Sequence, residues 1–224
     1  MQRLIGVVCV AIIITTPGCA GFGFLAHLVG AGEKIPASYK LADRPTAILV
    51  DDPGDALGAP ALPGVIANNI RYNLQKQGVL KTASFITQDA VRDLAKQLDK
   101  QFPITPIDTL GHRLGADQVI HVEIESATLY AHTRQVTRPI CAVRVKVIDV
   151  VHHKRLFPPT NALTGTSHTP PGHHVQVSLN YNAADVGGPG LEAMLAQHLA
   201  EQTGKKVAKL FYDHHKPPPG QKIK

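Results

Sequence analysis

The chain has no tryptophan, and aromatic residues make up 5% of it. Its core must be built from Val, Ile, Leu and Ala rather than from large rings. Cysteine is scarce too: Cys9, Cys19 and Cys141 are the whole set. Three thiols, one inside an amino-terminal apolar run, exclude a disulfide framework. No Gly-rich loop ending in Lys is present to cradle a phosphate, and no Gly-x-Ser-x-Gly elbow to present a serine nucleophile. No Cys or His spacing matches a recognised zinc motif. There is no internal repeat. The formal charge of +6 is spread along the chain rather than gathered into a patch, which reads as solubility and not as nucleic-acid binding.

What is present begins at the amino terminus. Arg3 supplies one positive charge, and residues 4–14 form an unbroken apolar run. Thr15, Thr16, Pro17 and Gly18 then lead to Cys19. A charged start, an apolar stretch of this length and small residues at the cut are the three parts of a secretory signal. The cysteine resembles the lipidated residue of a bacterial lipoprotein signal, with Thr16 standing where that pattern prefers Leu. Two other readings stay open. An ordinary signal peptidase cuts after Ala20 in one; in the other, residues 4–31 remain as an uncleaved anchor, long enough to span a bilayer of about 30 Å.

Residues 20–44 read as a Gly-rich, then polar, tether. A single domain is expected over 45–213, and a disordered Pro-rich tail over 214–224. Within the domain, residues 46–51 are a continuous apolar run fit for a strand. Ile66, Ile70 and Leu74 recur at four-residue steps and predict a helix over 64–77, with Gly78 as its terminator. A short strand is expected over 83–87 and an amphipathic helix over 89–102. Thr105, Pro106 and Asp108 read as cap, first helical residue and capping-box acid of a helix ending at Gly115. Residues 118–130 and 140–151 alternate apolar and polar and predict an antiparallel hairpin. Residues 152–172 read as loop, 174–181 as a strand and 190–212 as a long helix that Gly204 softens. The order is β-α-β-α-α-β-β-(β)-α. Because the later strands keep one polar face, an α/β (α+β) two-layer sandwich is expected, a mixed sheet with helices mainly on one face.

The strings PTAILVDD, ASFITQ and LGHRLGADQVIHVEIES, with a charged, alternating strand after them, resemble bacterial envelope lipoproteins of the CsgG type and the amino-terminal domain of TolB. The turn Leu114-Gly115-Ala116-Asp117 between helix and strand carries much of this likeness. The resemblance covers about residues 45–150. It implies a non-enzymatic role in envelope transport or assembly, often as an oligomer.

Several residues bear chemistry. His121, Glu123 and Glu125 alternate on one face of a strand, where neighbours are about 7 Å apart and close enough to share a cation. Arg144 and Lys146 fall on the same face of the next strand, so cross-strand ion pairs are the plainer reading. His152–His153, His173–His174 and His214–His215 are adjacent pairs, and the loop pairs could converge with His168 on zinc or copper. Cys141 shares its face with three valines and reads as a buried thiol. Asp51 and Asp52 end the first strand, where ligands gather in open α/β sheets; a turn beginning Asp-Pro-Gly is the alternative. No catalytic set and no cofactor are expected. The reading is a non-enzymatic, lipid-anchored protein of the cell envelope. It faces the periplasm, binds other envelope proteins and is a candidate homo-oligomer. The alternative is a periplasmic metal- or small-ligand-binding protein using its histidines.

Overall fold

The computed structural model describes residues 33–133, 136–159, 172–182 and 189–216. The signal region with Cys19, and His168, lie outside them. Along the chain run Lys34–Ile35 (β1), Thr46–Asp51 (β2), Leu62–Lys76 (α1), Gln88–Leu98 (α2), Ile107–Arg113 (α3), Gln118–Thr133 (β3), Val136–Asp149 (β4), Lys154–Phe157 (β5), His173–Ser178 (β6), Tyr181–Asn182 (β7), Leu191–Ala208 (α4) and His214–His215 (β8).

The main unit, residues 36–214, is a mixed α/β sandwich. β2 lies parallel to β3, with Thr46 opposite Gln118 and Asp51 opposite Glu123. β3 and β4 form the expected antiparallel hairpin. β5, β6 and β7 follow one another along the far side of β4, meeting it at Val147, Val145 and Thr137 respectively. β2 is therefore an edge strand. In the small unit, Lys216 N–H donates to the Glu33 carbonyl at 3.0 Å, and β1 pairs with β8.

The alternating pattern sorts side chains between two faces of the sheet. Ile120, Val122 and Ile124 of β3, with Cys141, Val143 and Val145 of β4, pack under α1 and α4 in the larger core. Ile66, Ile70 and Leu74 supply the α1 side of it and are all but inaccessible. The opposite face is covered only near one end, where Ala47, Leu49 and Val119 meet Leu94 of α2 and Leu110 of α3. The rest of that face keeps its charged residues, which is why the strands read as half polar.

Local signals explain most boundaries. Pro63 sits in the first turn of α1, where its missing N–H costs nothing. Gly78, at φ +65°, ends α1 in the left-handed conformation that a side chain disfavours. Thr87 caps α2 by accepting from Ala90 N–H at 3.2 Å.

Other expectations are corrected. In place of a strand over 83–87, Thr82–Ser84 form a short 3-10 turn and Phe85 makes a single parallel bridge with Thr46. Thr87 leaves extended pairing to cap α2. Asp99 takes φ +45° and stops α2 at Leu98. Thr105 does not cap α3; its hydroxyl donates to the Gln101 carbonyl at 2.7 Å, closing the preceding turn. β5 falls inside the stretch read as loop. Ahead of Pro45, Tyr39 N–H donates to the Leu210 carbonyl at 3.0 Å, and Tyr39 and Leu41 pack against the core. Order also continues past residue 213, into β8. Gly204 does not break α4, which runs on to Ala208; it lies where a side chain would meet Asn69 and the Ile66 carbonyl of α1.

Candidate functional site

The hairpin β3–β4 sets the positions of most singled-out side chains. His121 stands opposite Lys146 and Glu123 opposite Arg144. The ion pairs form on the diagonal: Lys146 Nζ to Glu123 at 3.4 Å and Arg144 Nε to Glu125 at 2.5 Å. Exposed pairs of this kind each contribute a few tenths of a kcal/mol to about 1 kcal/mol. His174 on β6 brings its Nε2 within 3.6 Å of Glu125. Of the five residues considered for a metal, Glu125 and His174 are thus the two brought together.

The other three part company. Glu123 is held by Lys146. His173 stacks its ring 5.2 Å from the ring centre of Phe157; burial and the neighbouring His174 push its pKa down. His121 is 4% exposed and turns to the adjacent strand, with Nε2 2.6 Å from Asp51 Oδ2. Its Nδ1 is buried with no hydrogen-bond partner among the described residues. Among those residues, no three His, Cys, Asp or Glu side chains converge as a ligand set.

Asp51 and Asp52 also separate by role. Asp52 accepts from the N–H groups of Ala56 and Leu57 at 2.8 and 3.0 Å and so builds the turn after β2, as the Asp-Pro-Gly reading has it. Asp51 instead faces a cleft of about 420 Å³ at the carboxyl end of β2, between α1 and α2. Leu49, Val65, Val91, Ala95 and Phe102 make its walls apolar, and Asn68, Gln88 and Arg92 are its other polar members. A concave, mostly apolar site with a few polar groups is the usual form of a binding cleft, and this volume lies within the range of about 300–1,000 Å³ for such sites. The sequence marked Asp51 and His121 separately. It gave no sign that the two strands would join them.

The thiol of Cys141 is wholly buried beside Thr203, and desolvation pushes its pKa up to about 11. At neutral pH it is a protonated, enclosed thiol, which is not a nucleophile. Three other histidines make local bonds within the fold. His153 Nδ1 lies 2.7 Å from Asp108, and this bond lowers the Asp108 pKa. His198 is bonded on its two ring nitrogens by Tyr181 and Gln202. His214 Nδ1 lies 3.2 Å from the Tyr212 carbonyl. No helix among the described residues is long and apolar enough to cross a membrane.

No family model matches this chain, and no curated protein matches it. Solved structures do. Lipoprotein GNA1162 from Neisseria meningitidis is similar over 71% of this chain and 97% of its own, at 12% identity and a TM-score of 0.40. The hypothetical protein CT253 from Chlamydia trachomatis matches 75% of this chain and 96% of its own, at 16% identity and a TM-score of 0.43. PelC from Paraburkholderia phytofirmans, a dodecamer, matches 80% and 96% at 12% identity and a TM-score of 0.38.

Proposed function

We propose that this chain is a lipid-anchored, non-enzymatic protein of a bacterial cell envelope. It faces the periplasm and serves as an assembly or transport accessory that binds other envelope proteins. The observation that carries this reading is the amino-terminal sequence: Arg3, an apolar run over 4–14 and small residues before Cys19. The domain supports it in two ways. Its candidate nucleophile, Cys141, is sealed in the core. The acidic and basic side chains of the polar sheet face are engaged with one another. The resemblance to CsgG-type and TolB domains rests on sequence motifs and points the same way, homo-oligomer included.

Lipidation at Cys19 is tested by fractionation. Cys19→Ser is expected to leave the protein unlipidated and to shift it from the membrane to the soluble fraction. Membrane retention equal to the native level counts against the anchor.

The approach of His174 to Glu125 favours a second reading, in which this pair contributes to binding zinc or copper. Zinc titration followed by calorimetry is the check. Native protein should bind and a His173→Ala/His174→Ala variant should lose that binding; equal uptake by both sinks the idea.

A further inference from the structure

We infer that the open outer edge of β2, with the cleft beside it, is a docking groove for an extended segment of a partner protein carrying Lys or Arg beside an apolar residue. This rests on the accessory role proposed above and gives the chemistry of the partner that role needs.

The backbone of β2 sets the geometry. Pro45 turns its carbonyl toward the β3 side, where Gln118 N–H donates at 3.1 Å. Alternate residues turn the other way. The Thr46 carbonyl accepts from Ile86 N–H at 2.9 Å, and the Ile48 carbonyl accepts from the Gln88 side-chain amide at 3.1 Å. Carbonyl and amide groups of a strand alternate between its two edges. Val50 therefore presents its N–H and C=O to the same outer edge as Thr46 and Ile48. Among the described residues, no backbone group is bonded to Val50 on that edge. Phe85 and Ile86 pair with the first residue of β2, Gln88 substitutes a side-chain amide for the next backbone donor, and beyond it lies the cleft.

An unpaired strand edge is a template for another strand, and proteins use this in β-strand addition, where backbone bonds supply affinity and side-chain pockets supply selectivity. Here the cleft beside β2 supplies the pocket. Leu49, Val50 and Asp51 form its floor along the edge, and Val65, Val91 and Phe102 supply apolar walls. The walls call for an apolar side chain from the incoming segment. Alternation places the neighbouring positions of such a segment at the rim.

Charge selects what stands there. Asp51 is 40% exposed on its side chain, and His121 fixes one of its oxygens from below. Its other oxygen has no partner among the described residues. Arg92, the cation of the cleft, is engaged by Asp89 at 3.2 Å. The rim therefore offers a fixed carboxylate to an incoming Lys or Arg.

Gly64 supplies the means of testing this. It lies in the first turns of α1 and lines the cleft, and a Cβ built on it meets nothing within 4 Å. A side chain there enters the groove without disturbing the core, and leucine is a better helix former than glycine. The full-length protein in detergent micelles is titrated with the capped peptide acetyl-Thr-Val-Lys-Val-Thr-amide and with its Glu counterpart. The Lys peptide is expected to slow hydrogen exchange at Val50 N–H. The Glu peptide should bind about tenfold more weakly or less, the scale of losing one charge-assisted bond. Gly64→Leu should fold as the native protein does and lose the Lys peptide by about tenfold or more. Asp51→Asn should abolish the preference for Lys over Glu. Equal binding of the two peptides by native protein, an unchanged Val50 exchange rate at saturation, or native affinity in Gly64→Leu overturns the inference. So does self-association that protects Val50 without peptide, which assigns the edge to a second copy of this chain. Peptide binding in micelles does not depend on lipidation of Cys19, so this test and the fractionation test fail separately.

Discussion

Gly204→Val is expected to destabilise the protein by about 3 kcal/mol, and Gly204→Ala by about 1–2 kcal/mol. In isolation the alanine change should help, since it removes the roughly 1 kcal/mol penalty of glycine inside a helix. The surroundings reverse the sign. A Cβ at Gly204 would stand 2.6 Å from Asn69 Cβ and 2.6 Å from the Ile66 carbonyl oxygen. The obstruction is the backbone and Cβ of the helix across the interface, which cannot swing aside as the end of a long side chain can. Relief requires α4 to move away from α1. That movement loosens contacts around Ile66, Ile70 and Leu199, which are essentially inaccessible, in a core packed to crystal-like density. Valine adds two methyl groups and a stiff χ1 to the same clash. Urea denaturation measures both variants, with a constant m-value showing that the two-state description holds. Gly64→Ala is the control, because the same change at an open helical position should be neutral or stabilising. A Gly204→Ala protein as stable as the native one would show that α1 and α4 do not approach so closely.

Gly204 also shows what the sequence could and could not disclose. A glycine inside a predicted helix reads as a weak point, because local propensity is all that a single chain displays. Its reason is a contact with Ile66 and Asn69, more than a hundred residues away, which no local pattern encodes. The same limit applies to Thr105. Threonine, proline and aspartate stand in capping order, yet the helix begins one residue later, with Pro106 at its N-cap, and the threonine hydroxyl donates to the Gln101 carbonyl. By contrast, the strands from Gln118 onward were legible, because alternation is a property of the strand itself. Their ion pairs were legible as well, since Arg144 and Lys146 had to share a face with Glu123 and Glu125 once the hairpin formed. The parallel partnership of β2 with β3 was not. It brings Asp51 to His121 across 70 residues, and with it the floor of the cleft.

Asp149 carries the second large effect. It ends β4 with its side chain 6% exposed, and it accepts from Arg44 Nη2 at 3.2 Å. The backbone N–H of His152 and the His152 ring Nδ1 lie 3.0 and 3.1 Å from its Oδ1. Burial alone would raise the pKa of this carboxyl. The bonds from the His152 backbone, the His152 ring and Arg44 outweigh it and bring the value to about 2. An unfolded aspartate titrates near 3.9, so the folded state favours the carboxylate by about 2–3 kcal/mol. A folded pKa below the unfolded one contributes its full stability above about pH 4 and loses it as pH falls towards 2. Asp149→Asn is therefore expected to cost about 2–3 kcal/mol at neutral pH, with Arg44 left without its charged partner. That difference should shrink between about pH 4 and pH 2 and be nearly gone below it. Denaturant unfolding of both proteins across this range measures it. A gap that stays constant with pH would mean that Asp149 acts through packing and not through its charge. Such a result would remove the electrostatic tie between Arg44, just ahead of β2, and the turn after β4.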